Sequence, residues 1–343
     1  MQFLISVALH AFIEAFPCSF HIHTMLGRRH YRIKVLQALY AWFLGGEPRI
    51  DVAEKNLFTS ISKFQELYCI QISFFLEVIH FYRFRMEEAK NKFYPTAEEL
   101  NPSYKLSDNR LIRQLQENAW LGDQVAKFKV SWTEEQEMVR KVYAKLKSSK
   151  DLAEYLASGE DSYAADQAFA DRLFRKFIAR SGDLQFYLSE RNLFWEDDFE
   201  LAALAVLKTF KAMREDLPDN TCLADLLEKP GEDQEDDRVF IRDLFRKTIV
   251  HSEEYDGLID ARTRNWELER IALTDILLLK MALTELIQFS QIPVKVTMNE
   301  YIELSKQFSS QKSKLFINGI LDKLVTDLTE EKKIHKTGRG LIT

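Results

Sequence analysis

Apolar side chains recur at helical spacing along most of this chain. The first amphipathic segment runs from Arg28 to Leu44, and Gly45-Gly46 ends it. Its apolar positions are Val35, Leu36, Leu39, Tyr40, Trp42 and Phe43. A second segment at 53–94 has a helical period and is dense in aromatic side chains, which at such positions usually belong to the core. The pattern therefore predicts two helices that pack around aromatic residues.

The middle of the chain continues as amphipathic helical segments. They extend over residues 96–230 and are joined by short polar breaks such as Asn101-Pro102-Ser103 and Ser158-Gly159. Pro230-Gly231 then interrupts the pattern, and five acids within 232–237 keep the following segment in water. A linker and a domain boundary are predicted there.

The C-terminal part contains the sharpest local patterns. Residues 276–283 are apolar except for Lys280, which predicts a helix buried on most sides. Thr297 and Glu300 have the spacing of a capping box, so the next helix is predicted to start at Thr297. A final helix is predicted from about Ser313.

Composition agrees with a helical fold. Gly accounts for 11 and Pro for 7 of 343 residues, which is below ordinary usage. The three cysteines, at positions 18, 69 and 222, are too far apart for a zinc motif and odd in number for disulfides, which favours a reducing, cytoplasmic setting. We expect no metal and no other cofactor. The body of the chain contains no charge-free apolar stretch of eighteen residues, so no membrane span is expected there.

The first 24 residues are apolar and aromatic, and no Lys or Arg precedes Arg28. A secretory signal carries its positive charges before the apolar stretch, so the polarity here is wrong for export. We expect translation to begin at Met25, with residues 1–24 outside the fold. A genuine signal or anchor is the alternative.

The net charge of −6 conceals an uneven distribution, because residues 151–237 contain 9 basic and 22 acidic side chains. Cations cluster at the start of the first helix, where no acid occurs between residues 27 and 46; they are Arg28, Arg29, Arg32 and Lys34. The helix dipole disfavours cations there, and pairing within the helix cannot neutralise them. Phosphate contact explains the cluster. The alternative is a solvated basic end or an ion pair with the acids at 232–237.

Two groups of residues resemble the NusB transcription antitermination family. The smaller group is in the first helix, where Arg28-Arg29 and Arg32 precede Val35 to Tyr40. The larger group comprises Asn265, Trp266, Arg270, Ile271, Asp275, Lys280, Glu285, Leu286, Ile292 to Val296, Asn299, Glu300, Glu303, Leu304, Lys306, Ser313, Phe316 to Gly319 and Leu321 to Lys323. Because the family is compact and these groups are far apart, the chain resembles a long form with a helical insertion.

The predicted organisation has five parts. They are the leader at 1–24, an N-terminal helical part at 25–95, a helical insertion at 96–235, a C-terminal NusB-like domain at 236–328 and a flexible tail at 329–343.

The resemblance implies an all-α fold of helical bundles without catalysis. It also implies binding to the boxA segment of nascent ribosomal RNA together with the ribosomal protein NusE, and loading onto RNA polymerase to suppress termination. With the basic cluster, the predicted RNA-binding residues are Arg28, Arg29, Arg32, Lys34, Lys280, Lys312, Lys314 and Phe316. The resemblance assigns base stacking to Phe316 and the NusE contact to Tyr40 and Asp275.

Other functional classes fit less well. NusB-like domains also occur in ribosomal RNA cytosine methyltransferases, but this chain lacks the Gly-rich strand-to-helix turn of a cofactor-binding domain. It also lacks hydrolase and metalloenzyme motifs, so it is not expected to be an enzyme. A helical protein-protein adaptor in ribosomal RNA transcription or ribosome assembly, without direct RNA binding, is the alternative that stays open.

Overall fold

The structure is a computed structural model that describes residues 25–46, 49–227, 236–263 and 271–341, without the side chains of Gln311, Lys312 and Arg339. The predicted leader at 1–24 and nearly all of the predicted linker lie outside these residues. Within the described ranges the chain forms α-helices and short 3-10 turns and contains no β-strand. The prediction of an all-α fold is confirmed.

The described residues form two compact units. The terminal unit combines Leu26–Ile61 with Leu227–Thr343. The middle unit comprises Ser62–Leu226 and also includes Met25. The terminal unit contains α1 (Arg28–Gly45), the start of α2 (Ile50–Lys90), α11 (Asp237–Val250), α12 (Ser252–Asp260), α13 (Leu273–Gln288), α14 (Val294–Phe308) and α15 (Gln311–Glu330). The rest of α2 belongs to the middle unit, so the boundary between the two units falls inside a helix.

The middle unit consists of the second part of α2 and eight further helices. These are α3 (Ala97–Leu100), α4 (Arg110–Glu117), α5 (Ala119–Lys127), α6 (Gln136–Lys147), α7 (Lys150–Ala157), α8 (Tyr163–Phe177), α9 (Gly182–Arg191) and α10 (Phe199–Ala212). Serine side chains cap α7, α8 and α9; they are Ser149, Ser162 and Ser181. The rings of Phe75, Phe174 and Phe210 meet at centroid distances of 5.4 to 5.8 Å and are buried, as predicted for the aromatic residues of α2.

The helix α13 is the centre of the terminal unit. Every side chain from Leu277 to Leu283 is buried, including Lys280, because α1, α11, α12, α14 and α15 all pack against this helix. The prediction of a helix buried on most sides is confirmed. Helix α1 ends as predicted, with Gly46 in the left-handed region at φ 63°.

The predicted start of α14 is wrong. The helix begins at Val294 directly after Pro293, whose fixed φ suits a helix start, and Thr297 lies within its first turn. The Thr297 hydroxyl does not cap the helix, because it donates to the Glu285 carboxylate at 2.8 Å. The other half of the predicted capping box, Glu300, binds Arg29.

The structure describes the segment predicted as a flexible tail, 329–343, as far as residue 341. Helix α15 continues to Glu330, and the following residues lie against the turn between α13 and α14. The Thr337 amide donates to the Ser290 carbonyl at 3.0 Å, and Lys336 Nζ donates to the Phe289 carbonyl at 2.9 Å. The tail therefore caps the C-terminal end of the central helix.

Of the helices in the described ranges, none is long and apolar enough to cross a membrane.

Candidate nucleic-acid interface

The first turn of α1 places three arginines against three other helices of the terminal unit. Arg28 lies nearest to α11, where its Nε is 3.5 Å from Asp237 Oδ1 and its guanidinium is 4.8 Å from the centroid of the Phe240 ring. About a third of the Arg28 side chain is exposed. Asp237 is the last of the acids in the predicted linker, so the alternative of an ion pair with this group holds for Arg28.

Arg29 is paired but accessible. Its Nε and Nη2 donate to the two carboxylate oxygens of Glu300 on α14 at 2.8 and 2.7 Å, while 48% of its side chain remains exposed. The hydrogen bond from Arg29 lowers the pKa of the Glu300 carboxyl, although burial opposes this change. Because exposed ion pairs contribute little stability, a phosphate could replace Glu300 as the partner of Arg29.

Arg32 is buried and takes part in a closed network. Its guanidinium donates twice to Glu285 of α13 at 2.8 Å, and Glu285 is fully buried. Thr297 and Tyr301 donate to the same carboxylate at 2.8 and 3.3 Å. A glutamate on a distant part of the chain therefore neutralises Arg32, a partner that the sequence argument for phosphate contact does not include. In this conformation Arg32 has almost no surface to offer RNA.

Three other predicted site residues are also buried. Lys34 is 4% exposed and Asp275 is 3% exposed. The Asp275 carboxylate accepts a hydrogen bond from the Ser309 hydroxyl. Lys280 Nζ donates to Ser252 Oγ at 2.6 Å and to Asp256 Oδ2 at 2.7 Å. Burial and these partners place Lys280 and Asp275 inside the bundle, although the sequence predicts contacts with RNA and NusE.

The remaining predicted residues are at the surface. Tyr40 on α1 is 42% exposed, while Lys314 and Phe316 in the first turns of α15 are partly exposed. The side chain of the predicted RNA-binding residue Lys312 lies outside the described part of the structure.

Arg29 on α1 and Lys314 on α15 both act electrostatically on Glu303 of α14. The pKa of the Glu303 carboxyl is lowered mainly by a hydrogen bond from Lys306, and the positive charges of Arg29 and Lys314 lower it further. We call Arg29, Lys306 and Lys314 the terminal basic surface. The sequence contains Lys306 only as one of the family-like positions. Its spacing of three from Glu303 shows a shared face of α14, but not which helices flank it.

Among the described residues, no group of three or more His, Cys, Asp or Glu side chains could hold a metal ion.

Comparison with known proteins identifies the family of this chain. The sequence model of the NusB family matches residues 198–326. A transcription antitermination protein NusB from Salinibacter ruber is 42% identical over 117 residues, which are 34% of this chain and 73% of that protein. The proteins of the same name from Geobacter sulfurreducens and Chloroherpeton thalassium are 42% and 37% identical over 94 and 103 residues. These alignments cover 27% and 30% of this chain, and 68% and 49% of the relatives. No solved structure matches the chain.

The residues matched by the family model do not coincide with one part of the predicted organisation. It begins at residue 198, inside the segment predicted as an insertion, and therefore includes α10. It also includes α14 and the part of α15 that bears Lys314, whereas α1 precedes it. The names of the relatives describe a regulator of transcription and not an enzyme, which agrees with the sequence prediction.

Proposed function

This chain belongs to the NusB family, and from that premise we propose that it is a transcription antitermination factor that binds RNA. Its RNA ligand is a boxA-type single strand of nascent ribosomal RNA, bound together with NusE, and the complex loads onto RNA polymerase. The observation that carries the RNA part is the terminal basic surface. Arg29, Lys306 and Lys314 come from two helices that the family match includes and from one that precedes it.

The chemistry of this surface suits a single RNA strand. Arg29 presents a planar fork of donors that fits phosphate oxygens, and about half of its side chain is accessible. Lys314 adds a second positive charge on α15. Phe316 lies two residues further along and is partly exposed, and an accessible aromatic side chain can stack against an unpaired base. Phosphate contact would displace Glu300 from Arg29.

For NusE, the surface of the terminal unit favours Tyr40 over Asp275. The Tyr40 side chain is 42% exposed on α1 and carries a phenol that can form a hydrogen bond with a partner. Asp275 is buried and bonded to Ser309, so it supports the start of α13 from within. We therefore place the contact with NusE at Tyr40.

A helical adaptor without RNA binding is the second candidate. It is favoured by the internal partners of the predicted cations, because Arg29 has Glu300, Arg32 has Glu285 and Lys280 has Asp256. Under this proposal the ion pairs are purely structural, and the partner is a protein.

Titration of a labelled boxA-type RNA distinguishes the two candidates. The full chain is titrated at two salt concentrations, with and without NusE, and compared with an Arg29→Gln variant. Arg246→Gln is the matched control, because Arg246 pairs with Glu54 in the same unit and is 42% exposed. We expect NusE to tighten binding. We expect Arg29→Gln to weaken it and to lower the salt slope by about 0.7, the value for one phosphate contact with a single strand.

Two results would favour the adaptor. One is the absence of RNA binding with and without NusE, and the other is an equal effect of the Arg29 and Arg246 substitutions.

A further inference from the structure

A second concentration of positive charge lies in the middle unit. Residues 138–150 contain five cations and no acid, and the chain that follows, 151–237, contains 22 acids against 9 cations. The cations of α6 share its exposed face, while Val139, Val142 and Leu146 form the buried one. The exposed cations of this helix are Arg140, Lys141, Lys145 and Lys147. Helix α6 is therefore amphipathic with a basic outer face.

Helix α8 adds a second row of cations. Arg172, Lys176 and Arg180 follow one another at a spacing of four residues, which places Arg172 and Lys176 on one stripe and Arg180 in the turn just after the helix. All three are exposed.

Ion pairs connect each row of cations to the helix that follows the other row. Asp151, in the first turn of α7, lies 2.5 Å from Lys176 Nζ and 4.0 Å from Arg172 Nη1. Asp183, in the first turn of α9, lies 4.0 Å from Lys145 Nζ of α6. The start of α7 and the turn before α9 thus connect the rows. We call the combined set the middle basic patch: Arg140, Lys141, Lys145, Lys147, Lys150, Arg172, Lys176 and Arg180.

Helix stability explains only part of this patch. Lys145 and Lys147 are in the last turn of α6, where the helix dipole favours cations. Among the described residues, Arg140, Lys147 and Arg180 form no ion pair. In the pairs that do form, the lysines are exposed, at 66% for Lys145 and 52% for Lys176, so these pairs stabilise the unit little and another anion can replace the carboxylate.

We propose that the middle basic patch binds the phosphate backbone of single-stranded RNA. The exposed side chains between these cations are small: Ala144 on α6 cannot stack or read a base, and the hydroxyl of Ser148, just after α6, already donates to the Ala144 carbonyl. The contact is therefore independent of base sequence. The patch precedes residues 198–326, so the family match does not include it. It would hold RNA outside the segment that the terminal basic surface recognises.

The test uses a 30-nucleotide oligouridylate, which lacks any boxA segment. The full chain is compared with a triple variant, Arg140→Gln, Lys147→Gln and Arg180→Gln, which removes the cations without ion pairs and leaves no carboxylate unpaired. The triple control is Arg113→Gln, Lys211→Gln and Arg214→Gln. Arg113 lies on α4, Lys211 on α10 and Arg214 just after α10, near the start of α8, where Gln167 donates to the Phe210 and Met213 carbonyls and Gln114 donates to the Arg214 carbonyl.

We expect the patch variant to lower the slope of log affinity against log salt by about 2, because each of three lost phosphate contacts contributes about 0.7. The control should keep the slope of the unchanged chain. If the triple variant melts earlier than the unchanged chain, Arg180→Gln alone serves instead, since this residue follows the end of α8, and the expected change is then about 0.7.

Equal slopes for the patch variant and the control would overturn the proposal, as would the absence of oligouridylate binding at low salt. Failure of boxA binding would leave the oligouridylate result intact, so the two proposals fail separately.

Discussion

Arg32 fits the sequence pattern of an RNA-binding arginine, but its side chain is buried in the core and paired with Glu285. Burial disfavours its charge, but Glu285 more than compensates, so the pKa of Arg32 is raised above its ordinary value. The carboxylate in turn has four short contacts, two from Arg32 and one each from Thr297 and Tyr301. A buried pair of this kind is costly to break, because either partner alone would be an uncompensated charge in the core.

Substitution of Arg32 therefore tests stability and not RNA binding. We expect Arg32→Met to lower the free energy of unfolding by about 3–5 kcal/mol, because Glu285 would remain buried and charged. The double variant Arg32→Met with Glu285→Gln should recover part of this loss, since neither charge remains. Urea unfolding measures both. Arg246→Met is the control and should cost less than about 1 kcal/mol, as its pair with Glu54 is partly exposed.

At the scale of elements, the C-terminal tail completes the central helix. At the end of α13, Lys336 Nζ donates to the Phe289 carbonyl, which lies beyond the helix, and adds a second donor to the Glu285 carbonyl, which already accepts from the Phe289 amide. Burial lowers the pKa of Lys336 to about 8. The backbone at Gly340 passes so close to Ser290 that an added Cβ would lie 2.0 Å from the Ser290 carbonyl oxygen. The tail docks only because this position has no side chain.

Gly340→Ala should release the tail. Trypsin cleavage after Lys336 reports the change, because cleavage follows the population of the open state when opening is fast. A loss of about 1.4 kcal/mol of docking free energy raises that rate about tenfold, and we expect at least this increase. Gly257→Ala is the control, since nothing lies within 4 Å of its added Cβ. An unchanged cleavage rate in the Gly340 variant would show that docking of the tail does not depend on the close contact between Gly340 and Ser290.

At the scale of the whole molecule, local patterns predict the helices but not the long-range partners. Helices α1 and α13 follow from apolar spacing, glycine and the run at 276–283, all within a few turns of chain. The partners of Arg29 and Arg32 are 271 and 253 positions away, so no local pattern identifies them. A partner outside the capping-box pattern also explains the wrong start of α14, because Glu285, 12 positions before Thr297, takes the Thr297 hydroxyl that a capping box would use.

The division into two units could not be predicted from the sequence either. The helical period is continuous through α2, and the boundary between Ile61 and Ser62 leaves no break in the sequence pattern. Of the candidate site, sequence identifies the cationic positions of α1 and α15. It could not separate accessible Arg29 from buried Arg32, because both lie in the same two turns and differ only in which distant helix they meet.

The pH dependence of stability tests the electrostatics of both units. Hydrogen bonds from Arg29 and Lys176 lower the pKa of Glu300 in the terminal unit and of Asp151 in the middle unit. A carboxyl whose pKa is lower in the folded state stabilises the fold above its unfolded pKa, and this contribution is lost as the pH falls through the folded value. Burial raises the pKa of Tyr255 to about 12, so its contribution is complete below pH 10 and is lost above that.

We therefore expect the free energy of unfolding in urea to be level between about pH 5 and pH 7, to fall on the acid side, and to rise above about pH 8 where buried Lys336 loses its charge, before the tyrosine ionises. On the acid side, Glu300→Gln and Asp151→Asn should each make the free energy of unfolding fall less steeply with pH. Each substitution removes one carboxyl that takes up a proton when the chain unfolds at acid pH. Glu137→Gln is the control, as its side chain is 83% exposed. An acid limb that neither substitution changes would mean that these two ion pairs do not persist in solution, and Arg29 would then be available to RNA without displacing Glu300.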